Sequence, residues 1–279
     1  MVDIKYTQNI YRNRDKIVEI LDKIDISKQD TVLDIGAGKG ILTEELVKRC
    51  KDVIAYEIDN HYYEILKEKF STDKNITIYN KDFLNSNLPN TKYKVFANIP
   101  FSQTSDIIKK LTDTPSNMSE GWLFVQKESA QRYVGKPNNT QISSILSFMY
   151  DIDIVEIFRR EDFQPIPNVD IVLLHLKSKE YERKDYNLYK DFITYIFNQR
   201  NKNIIDTFKK LFTYKQLKHI KEYLKSNNCT KPTQIPTNYY LELFNQFKLN
   251  GDRYLYLVKG YSSKHISQHS KREKVYRRR

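Results

Sequence analysis

The sequence predicts an α/β fold, in which a mostly parallel seven-stranded sheet is followed by a small C-terminal helical domain. Over residues 31–177, short apolar runs alternate with helical patterns, as expected of a parallel sheet with helices on both faces. Over residues 181–261, apolar residues recur at helical spacing and strand patterns are few. That second pattern favours helices alone.

Seven apolar runs mark the predicted strands. They are residues 31–35, 53–56, 76–79, 93–97, 122–125, 152–157 and 171–176. Helical patterns such as residues 41–50 and 61–70 separate the earlier runs. The last two runs leave no room for a helix between them, so we expect an antiparallel hairpin at the sheet edge.

The chain of 279 residues fits one large domain, residues 1–180, and one small domain, residues 181–261. Residues 262–279 form a polar tail with seven basic side chains and one acidic one, Glu273. Such a segment cannot bury a core, so we expect it to be disordered when free. The formal net charge of +12 favours a polyanionic partner. Nucleic acid is the first candidate and an anionic membrane surface is the second.

Several classes of protein are not expected. No run of about 18 apolar residues exists, which argues against a membrane-spanning helix. Residues 1–14 lack the apolar core of a secretion signal. Cys50 and Cys229 lie far apart, and the histidines form no ligand pattern, so we expect no metal. Two unpaired thiols fit the reducing cytoplasm, and we expect a monomer.

The first motif is a glycine-rich segment, residues 34–40, which reads Asp-Ile-Gly-Ala-Gly-Lys-Gly between a predicted strand and a predicted helix. Glycine lets the backbone turn sharply and lets a ligand approach without a Cβ clash. The helix that follows begins with unpaired N–H groups. A structural turn also needs glycine, but the strand–turn–helix context favours a nucleotide-like cofactor.

Two acidic residues end the next strands. Glu57, 19 residues after Gly38, can accept both ribose hydroxyls of an adenosine. Asp82 follows the third strand and can accept a hydrogen bond from an adenine amino group. Taken alone, Glu57 is better explained as an exposed acid at a strand end, and Asp82 is equally explained as a turn-forming residue. Their positions after successive strands support the cofactor interpretation.

The fourth motif, Asn98-Ile99-Pro100-Phe101, follows the fourth strand. The amino group of adenine is a poor nucleophile because its lone pair is conjugated into the ring. Two acceptors, the Asn98 side-chain oxygen and a carbonyl of the Pro100 turn, can draw its N–H bonds out of the ring plane. Phe101 can then stack on a base taken out of its helix. An ordinary Asn-x-Pro turn is the alternative, and the three preceding motifs argue against it.

Together these segments resemble the ribosomal RNA adenine N6-methyltransferases, and within that group the Erm family, which confers macrolide resistance by methylating 23S rRNA. The resemblance spans about residues 8–260. The glycine-rich segment matches the cofactor loop of the family, including its lysine, Lys39. Gln8 and Asn9 match an N-terminal Gln-Asn-Phe element that closes over the methionine part of the cofactor. Ile10 stands where phenylalanine is usual, so an aromatic contact is missing.

Two later segments extend the resemblance. Residues 125–128 are similar to the fifth strand of the family and its exit. Residues 163–170 resemble a Phe-x-Pro-x-Pro-x-Val element that covers the target base, although Ile171 replaces the usual serine after it. The resemblance implies a Rossmann-like class I methyltransferase domain that uses S-adenosylmethionine. It also makes Phe163 the second aromatic face of the base pocket.

The resemblance gives two sets of expected site residues. The catalytic residues are expected to be Asn98, Pro100, Phe101 and Phe163. The cofactor is expected to contact Gln8, Asn9, Gly36, Ala37, Gly38, Glu57, Ile58, Asp82, Phe83 and Asn98. Ribosomal RNA, of the 23S type, is the expected partner, bound in part by the basic tail and by the helical domain. The lysines of the helical domain are equally explained as a solvated surface.

A nearby alternative is the housekeeping small-subunit rRNA dimethyladenosine transferase, which shares the fold and most motifs. That family usually has Asn-Leu-Pro-Tyr and a leucine at the position of Lys39, so Lys39, Ile99 and Phe101 favour Erm. An NAD-dependent dehydrogenase would not need the Asn98 motif. A glutamine-N5 protein methyltransferase would not explain the net charge. A non-catalytic RNA-binding protein on the same fold remains open.

Overall fold

The computed structural model describes residues 9–113, 116–181 and 183–265. Gln8 and residues 266–279 of the predicted tail lie outside the described residues. Contacts divide the chain into two compact units, the first formed by residues 1–130 and 151–178 and the second by residues 131–150 and 179–279.

The described strands and helices are numbered in chain order. The strands are β1 (Ile10–Tyr11), β2 (Thr31–Ile35), β3 (Asp52–Tyr56), β4 (Ile76–Tyr79), β5 (Tyr93–Asn98), β6 (Met118–Gln126), β7 (Tyr150–Phe158), β8 (Phe163–Gln164) and β9 (Ile171–Ser178). The helices are α1 (Arg14–Lys23), α2 (Ile41–Arg49), α3 (Asn60–Lys69), α4 (Thr104–Thr112), α5 (Lys127–Val134), α6 (Gln141–Leu146), α7 (Arg183–Phe197), α8 (Ile204–Phe208), α9 (Tyr214–Ser226), α10 (Thr237–Lys248) and α11 (Leu255–Val258).

The first unit contains a seven-stranded sheet in the order β4-β3-β2-β5-β6-β9-β7. The four pairs from β4 to β6 are parallel and β9 is antiparallel to β6. The predicted mostly parallel sheet is therefore confirmed, with β7 and β9 side by side at one edge. After β4 the chain returns to place β5 beside β2. The order of strands reverses at this point, and such a reversal opens a crevice at the carboxyl ends of the two strands.

Burial on both faces explains the apolar runs of the central strands. Four of the five residues of β2 and five of the six of β5 are buried, as in a parallel sheet covered by helices on both sides. Helix α2 covers the sheet with Leu42, Leu46 and Val47. Helix α1 begins at an Asn13 cap, whose side chain accepts the N–H of Lys16.

A second, two-stranded sheet was not predicted. Strand β1 pairs with β8 in antiparallel fashion, with Ile10 opposite Gln164 and Tyr11 opposite Phe163. The chain on either side of the pair is also joined, because the N–H of Arg12 donates to the carbonyl of Asp162 at 2.8 Å. The N-terminal segment is therefore fixed to the 163–170 element.

The second unit is built from helices α6 to α11 around an aromatic core. Tyr189, Phe192 and Phe244 are almost fully buried, and their rings meet at centroid distances of 5.1–5.6 Å. At its C-terminal end, the buried carboxylate of Asp191 accepts the backbone N–H groups of Gly260 at 2.6 Å and Ser262 at 2.9 Å. No helix in the described ranges is long and apolar enough to cross a membrane.

Candidate active site

A cleft opens in the first unit where the strand order reverses, at the carboxyl ends of β2 and β5. Three chain segments form its walls: the N-terminal strand β1, the glycine turn after β2, and the turn after β5. The lining residues are Asn9, Ile10, Tyr11, Gly36, Ala37, Gly38, Lys39, Ile41, Leu42, Asn98, Ile99 and Pro100. The structure thus brings the first and fourth sequence motifs together in one cleft.

The glycine turn is held against the end of β3. The backbone N–H groups of Gly36 and Ala37 both donate to the carbonyl of Tyr56, at 2.8 and 3.1 Å. Gly40, the N-cap of α2, has φ +73°, and a Cβ there would lie 2.7 Å from a methyl carbon of Leu66. Glycine is therefore required at position 40 by both conformation and space.

Glu57 lies beneath this turn. Its Oε2 accepts the N–H of Gly38 at 2.7 Å, and its Oε1 accepts the N–H of Asp59 at 2.8 Å. Only 1% of the residue is exposed. Burial raises the pKa of Glu57, and the two backbone donors oppose that shift. Each oxygen keeps a second lone pair, but Glu57 is not among the residues that line the cleft.

Asp34, the first residue of the glycine-rich motif, is fully buried at the end of β2. Its Oδ2 accepts the Thr43 hydroxyl at 2.6 Å, while Oδ1 has no hydrogen-bond partner. Burial raises the pKa of Asp34 to about 7, since the hydrogen bond from Thr43 only partly offsets the loss of water, and the nearby charge of Glu57 adds to the increase.

The third motif folds as a local cap. The Asp82 side chain accepts the N–H of Leu84 at 2.9 Å and the side-chain amide of Asn85 at 3.1 Å. Phe83 is 4% exposed and packs edge-on against Tyr56 at 5.3 Å. Ile58, in contrast, is 42% exposed. None of Ile58, Asp82 and Phe83 lines the cleft described above, so their contact with the cofactor stays a prediction.

Asn98 is the last residue of β5, and the N-terminal segment orients its side chain. Its Nδ2 donates to the backbone carbonyl of Asn9 at 2.7 Å. The Nδ2 of Asn9 donates in turn to the carbonyl of Pro165 at 2.6 Å. Among the described residues nothing donates to Oδ1 of Asn98, which leaves this oxygen as an acceptor beside the cleft.

The turn after Asn98 offers two backbone carbonyls. That of Pro100 already accepts the N–H of Gln103 at 3.0 Å, which begins the short 3-10 helix Phe101–Gln103. Within the described part of the chain, no such bond reaches the carbonyl of Ile99, which lines the cleft. The Phe101 ring is partly buried against the hydrophobic core.

Phe163 does not line the cleft. It is 1% exposed, and its ring packs edge-on against Tyr11 at 4.9 Å and Phe158 at 6.1 Å. Tyr11, which packs against Phe163, is itself a lining residue of the cleft. A base could contact the face of Phe163 only if this packing opened, so its stacking role stays a prediction.

Several lining residues escaped the sequence reasoning. Tyr11 lies on a strand of two residues with no periodic signal, and Ile41 and Leu42 are ordinary apolar positions in the first turn of α2. Asp34 could have been found, since a carboxylate ending a buried strand needs a partner. Among the described residues, no group of three or more His, Cys, Asp or Glu could hold a metal.

The site fits S-adenosylmethionine. Its walls are formed by the backbone of the glycine turn and by apolar side chains. A Cβ atom built on Gly36 would lie 3.6 Å from Cδ of the Pro100 ring. An orphaned buried oxygen belongs to Asp34 in β2, two residues before Gly36, although Asp34 is not among the lining residues. The cofactor carries two positive groups, an ammonium and a sulfonium. Hydrogen-bond acceptors at the carboxyl ends of the strands, such as Oδ1 of Asn98, suit such a ligand, since ligands of open α/β sheets bind at these ends.

The fold and the cleft define a class I methyltransferase that depends on S-adenosylmethionine. Residues 2–249 match the ribosomal RNA adenine dimethylase family. An rRNA adenine N-6-methyltransferase of Bacillus licheniformis is 31% identical over 242 residues, which cover 85% of this chain and 84% of that protein. The chain therefore belongs to the ribosomal RNA adenine dimethylase family, as a methyltransferase that acts on the N6 position of adenine in ribosomal RNA.

Relatives of a second kind are equally similar. A ribosomal RNA small subunit methyltransferase A of Mycoplasma mobile is 34% identical over 248 residues, which cover 87% of this chain and 96% of that protein. Among solved structures, that of the 23S rRNA methyltransferase ErmE is similar to this chain, with a TM-score of 0.79 and 24% sequence identity. The superposition covers 86% of this chain and 100% of the ErmE chain. This likeness confirms the fold.

Proposed function

We propose that this enzyme transfers methyl groups to the N6 of one adenine in 23S ribosomal RNA and so confers resistance to macrolide-type antibiotics. The observation that carries the proposal is the Asn98-Ile99-Pro100-Phe101 turn, which forms a wall of the cleft together with the glycine turn that contains Lys39. Ile99, Phe101 and Lys39 are the residues that favour the Erm type. The reaction takes place where ribosomes are found, in the cytoplasm.

The proposed mechanism is a direct in-line displacement. S-adenosylmethionine supplies a methyl group already activated by its sulfonium, so a covalent enzyme intermediate is not needed. The task of the protein is to orient the amine and to stabilise the charge that develops on it. No strong base is needed before attack, because the N–H becomes acidic as the new bond forms.

Asn98 is suited to orienting the amine. Its Nδ2 donates to the carbonyl of Asn9, so Oδ1 is the atom left to accept an N–H of the adenine. The second acceptor is a backbone carbonyl of the turn at residues 99–100. Phe101 stacks against the base. The N-terminal segment holds the methionine end of the cofactor, with Gln8, outside the described residues, and Asn9 as the proposed contacts.

The target nucleotide can be tested directly. Purified protein and tritiated S-adenosylmethionine are incubated with protein-free 23S rRNA or 16S rRNA, and primer extension then maps the modified position. We expect label in 23S rRNA at one adenine. In parallel, a macrolide-sensitive bacterium expressing the wild type, but not Asn98→Ala, should show a raised inhibitory concentration for a macrolide. Label confined to 16S rRNA would contradict the proposal.

A second candidate is dimethylation of adenine in small-subunit ribosomal RNA. The specific observation in its favour is the 34% identity to the small subunit methyltransferase A of Mycoplasma mobile, which extends over 96% of that protein. The same primer-extension experiment separates the two candidates, and a host lacking its own small-subunit dimethylase would then regain the modification.

A further inference from the structure

Helix α9 of the second unit has one apolar face and one basic stripe. Leu217, Ile220 and Leu224 are buried in the core of the unit, at 8%, 1% and 1% exposed. Tyr214, Lys218, Lys221 and Lys225 follow at intervals of four, three and four residues, which places them in one line along the helix. All four are exposed. We call these four residues the α9 stripe.

Charge is concentrated around this helix. Residues 209–231 hold seven lysines and one acidic residue, Glu222. This segment therefore carries half of the net charge of +12, in 23 of the 279 residues. Glu222 lies closest to His219, at 3.8 Å. In the described part of the chain, no acidic side chain pairs with Lys218, Lys221 or Lys225.

Some surface lysines on other helices of the described chain form ion pairs within their own helix. On α1, Lys23 contacts Glu19 at 2.5 Å, and on α2, Lys48 contacts Glu45 at 2.9 Å. Pairs of that kind stabilise an exposed helix by about 0.3–0.5 kcal/mol each. The α9 stripe instead places three like charges in line, and these repel one another by a few tenths of a kcal/mol per pair.

Tyr214 adds an aromatic surface to the stripe. It is the first residue of α9 and is 88% exposed, the highest value among the large apolar side chains of the described residues. A solvent-exposed aromatic ring at the end of a row of cations provides the two kinds of contact that single-stranded RNA makes with proteins. Lysines neutralise phosphates, and a planar ring stacks on an unpaired base.

We infer that the α9 stripe binds RNA, with a strand lying along Lys218, Lys221 and Lys225 and an unpaired base stacked on Tyr214. The stripe spans about 16 Å, at about 1.5 Å per residue. RNA is favoured over an anionic membrane because the apolar face of α9 is already buried in the core of the unit, whereas a membrane helix inserts that face into lipid. This inference rests on the proposed function, since it takes ribosomal RNA as the ligand.

The test compares two triple variants that remove equal charge. Lys218→Gln/Lys221→Gln/Lys225→Gln removes the stripe, and Lys28→Gln/Lys67→Gln/Lys74→Gln is the matched control. The control lysines are exposed in the first unit, and no ion pair involves them among the described residues. Binding to protein-free 23S rRNA and 16S rRNA is measured at several salt concentrations. Circular dichroism and calorimetry with S-adenosylmethionine check that both variants are folded.

Each phosphate contact contributes about 0.7–0.9 to the slope of log affinity against log salt. The slope of the stripe variant should therefore be shallower than that of the wild type by about 2–3, and the slope of the control should differ from that of the wild type by less than about 0.5. Tyr214→Leu should weaken binding on the order of ten-fold, while Tyr214→Phe keeps it, because stacking needs the ring and not the hydroxyl. Equal slopes for the two triple variants would overturn the inference.

Two further outcomes are decisive. Vesicles of phosphatidylserine and phosphatidylcholine provide the membrane comparison. If the stripe variant loses vesicle binding but keeps the RNA slope of the wild type, the stripe is a membrane surface and the inference is wrong. If the wild type modifies 16S rRNA instead of 23S rRNA, the proposed function fails, and the slopes measured on 16S rRNA still decide whether the stripe binds RNA.

Discussion

The side-chain amide of Asn98 donates to the backbone carbonyl of Asn9 across 89 positions of sequence, at 2.7 Å. This bond orients the amide group so that its oxygen is the free acceptor. Asn9 is itself tied to the carbonyl of Pro165, and β1 pairs with β8 next to it. One short N-terminal segment thus links the predicted amine-binding residue to the element predicted to cover the base.

Asn98→Ala should reduce turnover far more than it weakens binding. The hydrogen bond from the amine to the oxygen of Asn98 strengthens as the amine rehybridises. Its loss therefore raises the free energy of the transition state more than that of the bound substrate. We expect kcat to fall by about 10²–10³-fold, as for other pre-organised polar groups. Single-turnover methylation of rRNA measures the effect, and calorimetry with S-adenosylmethionine serves as the control. Near-normal turnover would show that another residue holds the amine.

The strand ends of the first unit could be predicted from sequence because the strands form short apolar runs and the turns that follow them have their own chemistry. Runs such as residues 31–35 and 76–79 coincide with β2 and β4. The glycine turn and the Asn98 turn were therefore correctly assigned to the ends of β2 and β5, which are neighbours in the sheet. Their meeting in one cleft follows from the reversal of strand order, which the alternating pattern alone does not reveal.

The β1–β8 pair could not be predicted. Each strand has two residues, too few for any periodicity, and the pairing depends on contacts between segments about 150 positions apart. The burial of Phe163 could not be predicted for the same reason. Its motif suggested an open aromatic face, whereas the ring fills a cluster with Tyr11 and Phe158. Tertiary packing decides such positions, and local sequence does not.

Glu57→Ala should weaken the binding of S-adenosylmethionine. The carboxylate holds the N–H groups of Gly38 and Asp59, so its removal leaves two donors without their partner and loosens the glycine turn. Each such loss costs about 1–3 kcal/mol, and we expect cofactor affinity to fall by about ten-fold or more. Glu57→Gln, which keeps one acceptor, should have a smaller effect.

Calorimetry measures the cofactor affinity of both variants, and a mobility-shift titration measures their affinity for rRNA, which we expect to be almost unchanged. Unaltered cofactor affinity in Glu57→Ala would exclude Glu57 from the site. Binding of NAD in place of S-adenosylmethionine by the wild type would contradict the assignment of the whole cleft.

Asp34 should make the stability of the protein fall as pH rises toward neutrality. The pKa of this carboxyl is 3.8 ordinarily and about 7 in the buried site. Between these values the folded protein holds a proton that the unfolded chain has released. The free energy of unfolding therefore decreases as pH rises through this window and levels off above about pH 7.

Asp34→Asn removes the titration and can still accept the Thr43 hydroxyl. Relative to the wild type, the variant should be more stable at pH 8 than at pH 5, and the change in the difference of unfolding free energy should be at most a few kcal/mol. The difference in melting temperature should move in the same direction. Thermal melts at half-unit steps of pH measure this, on protein without cofactor. Parallel profiles for the two proteins would show that Asp34 is ionised throughout the range.

The basic tail begins a few residues later than the sequence suggests. The predicted tail begins at residue 262, yet the N–H and hydroxyl of Ser262 both donate to the buried carboxylate of Asp191. A deletion after Tyr261 would leave that carboxylate without two donors. Deleting residues 266–279 instead keeps the cap and removes six basic residues and one acidic one. The fold and the cofactor affinity should then be unchanged.

Affinity for rRNA should decrease in the shortened protein, and the slope of log affinity against log salt should become shallower by up to about 5, since six basic residues are removed and each phosphate contact contributes about 0.7–0.9. A full-length variant with Lys271, Arg272, Lys274, Arg277, Arg278 and Arg279 changed to Gln is the matched control. It should reproduce the loss if charge is the cause. Equal slopes for the full-length and shortened proteins would mean that the tail makes no phosphate contact, and that affinity for the RNA backbone comes from the remaining 265 residues.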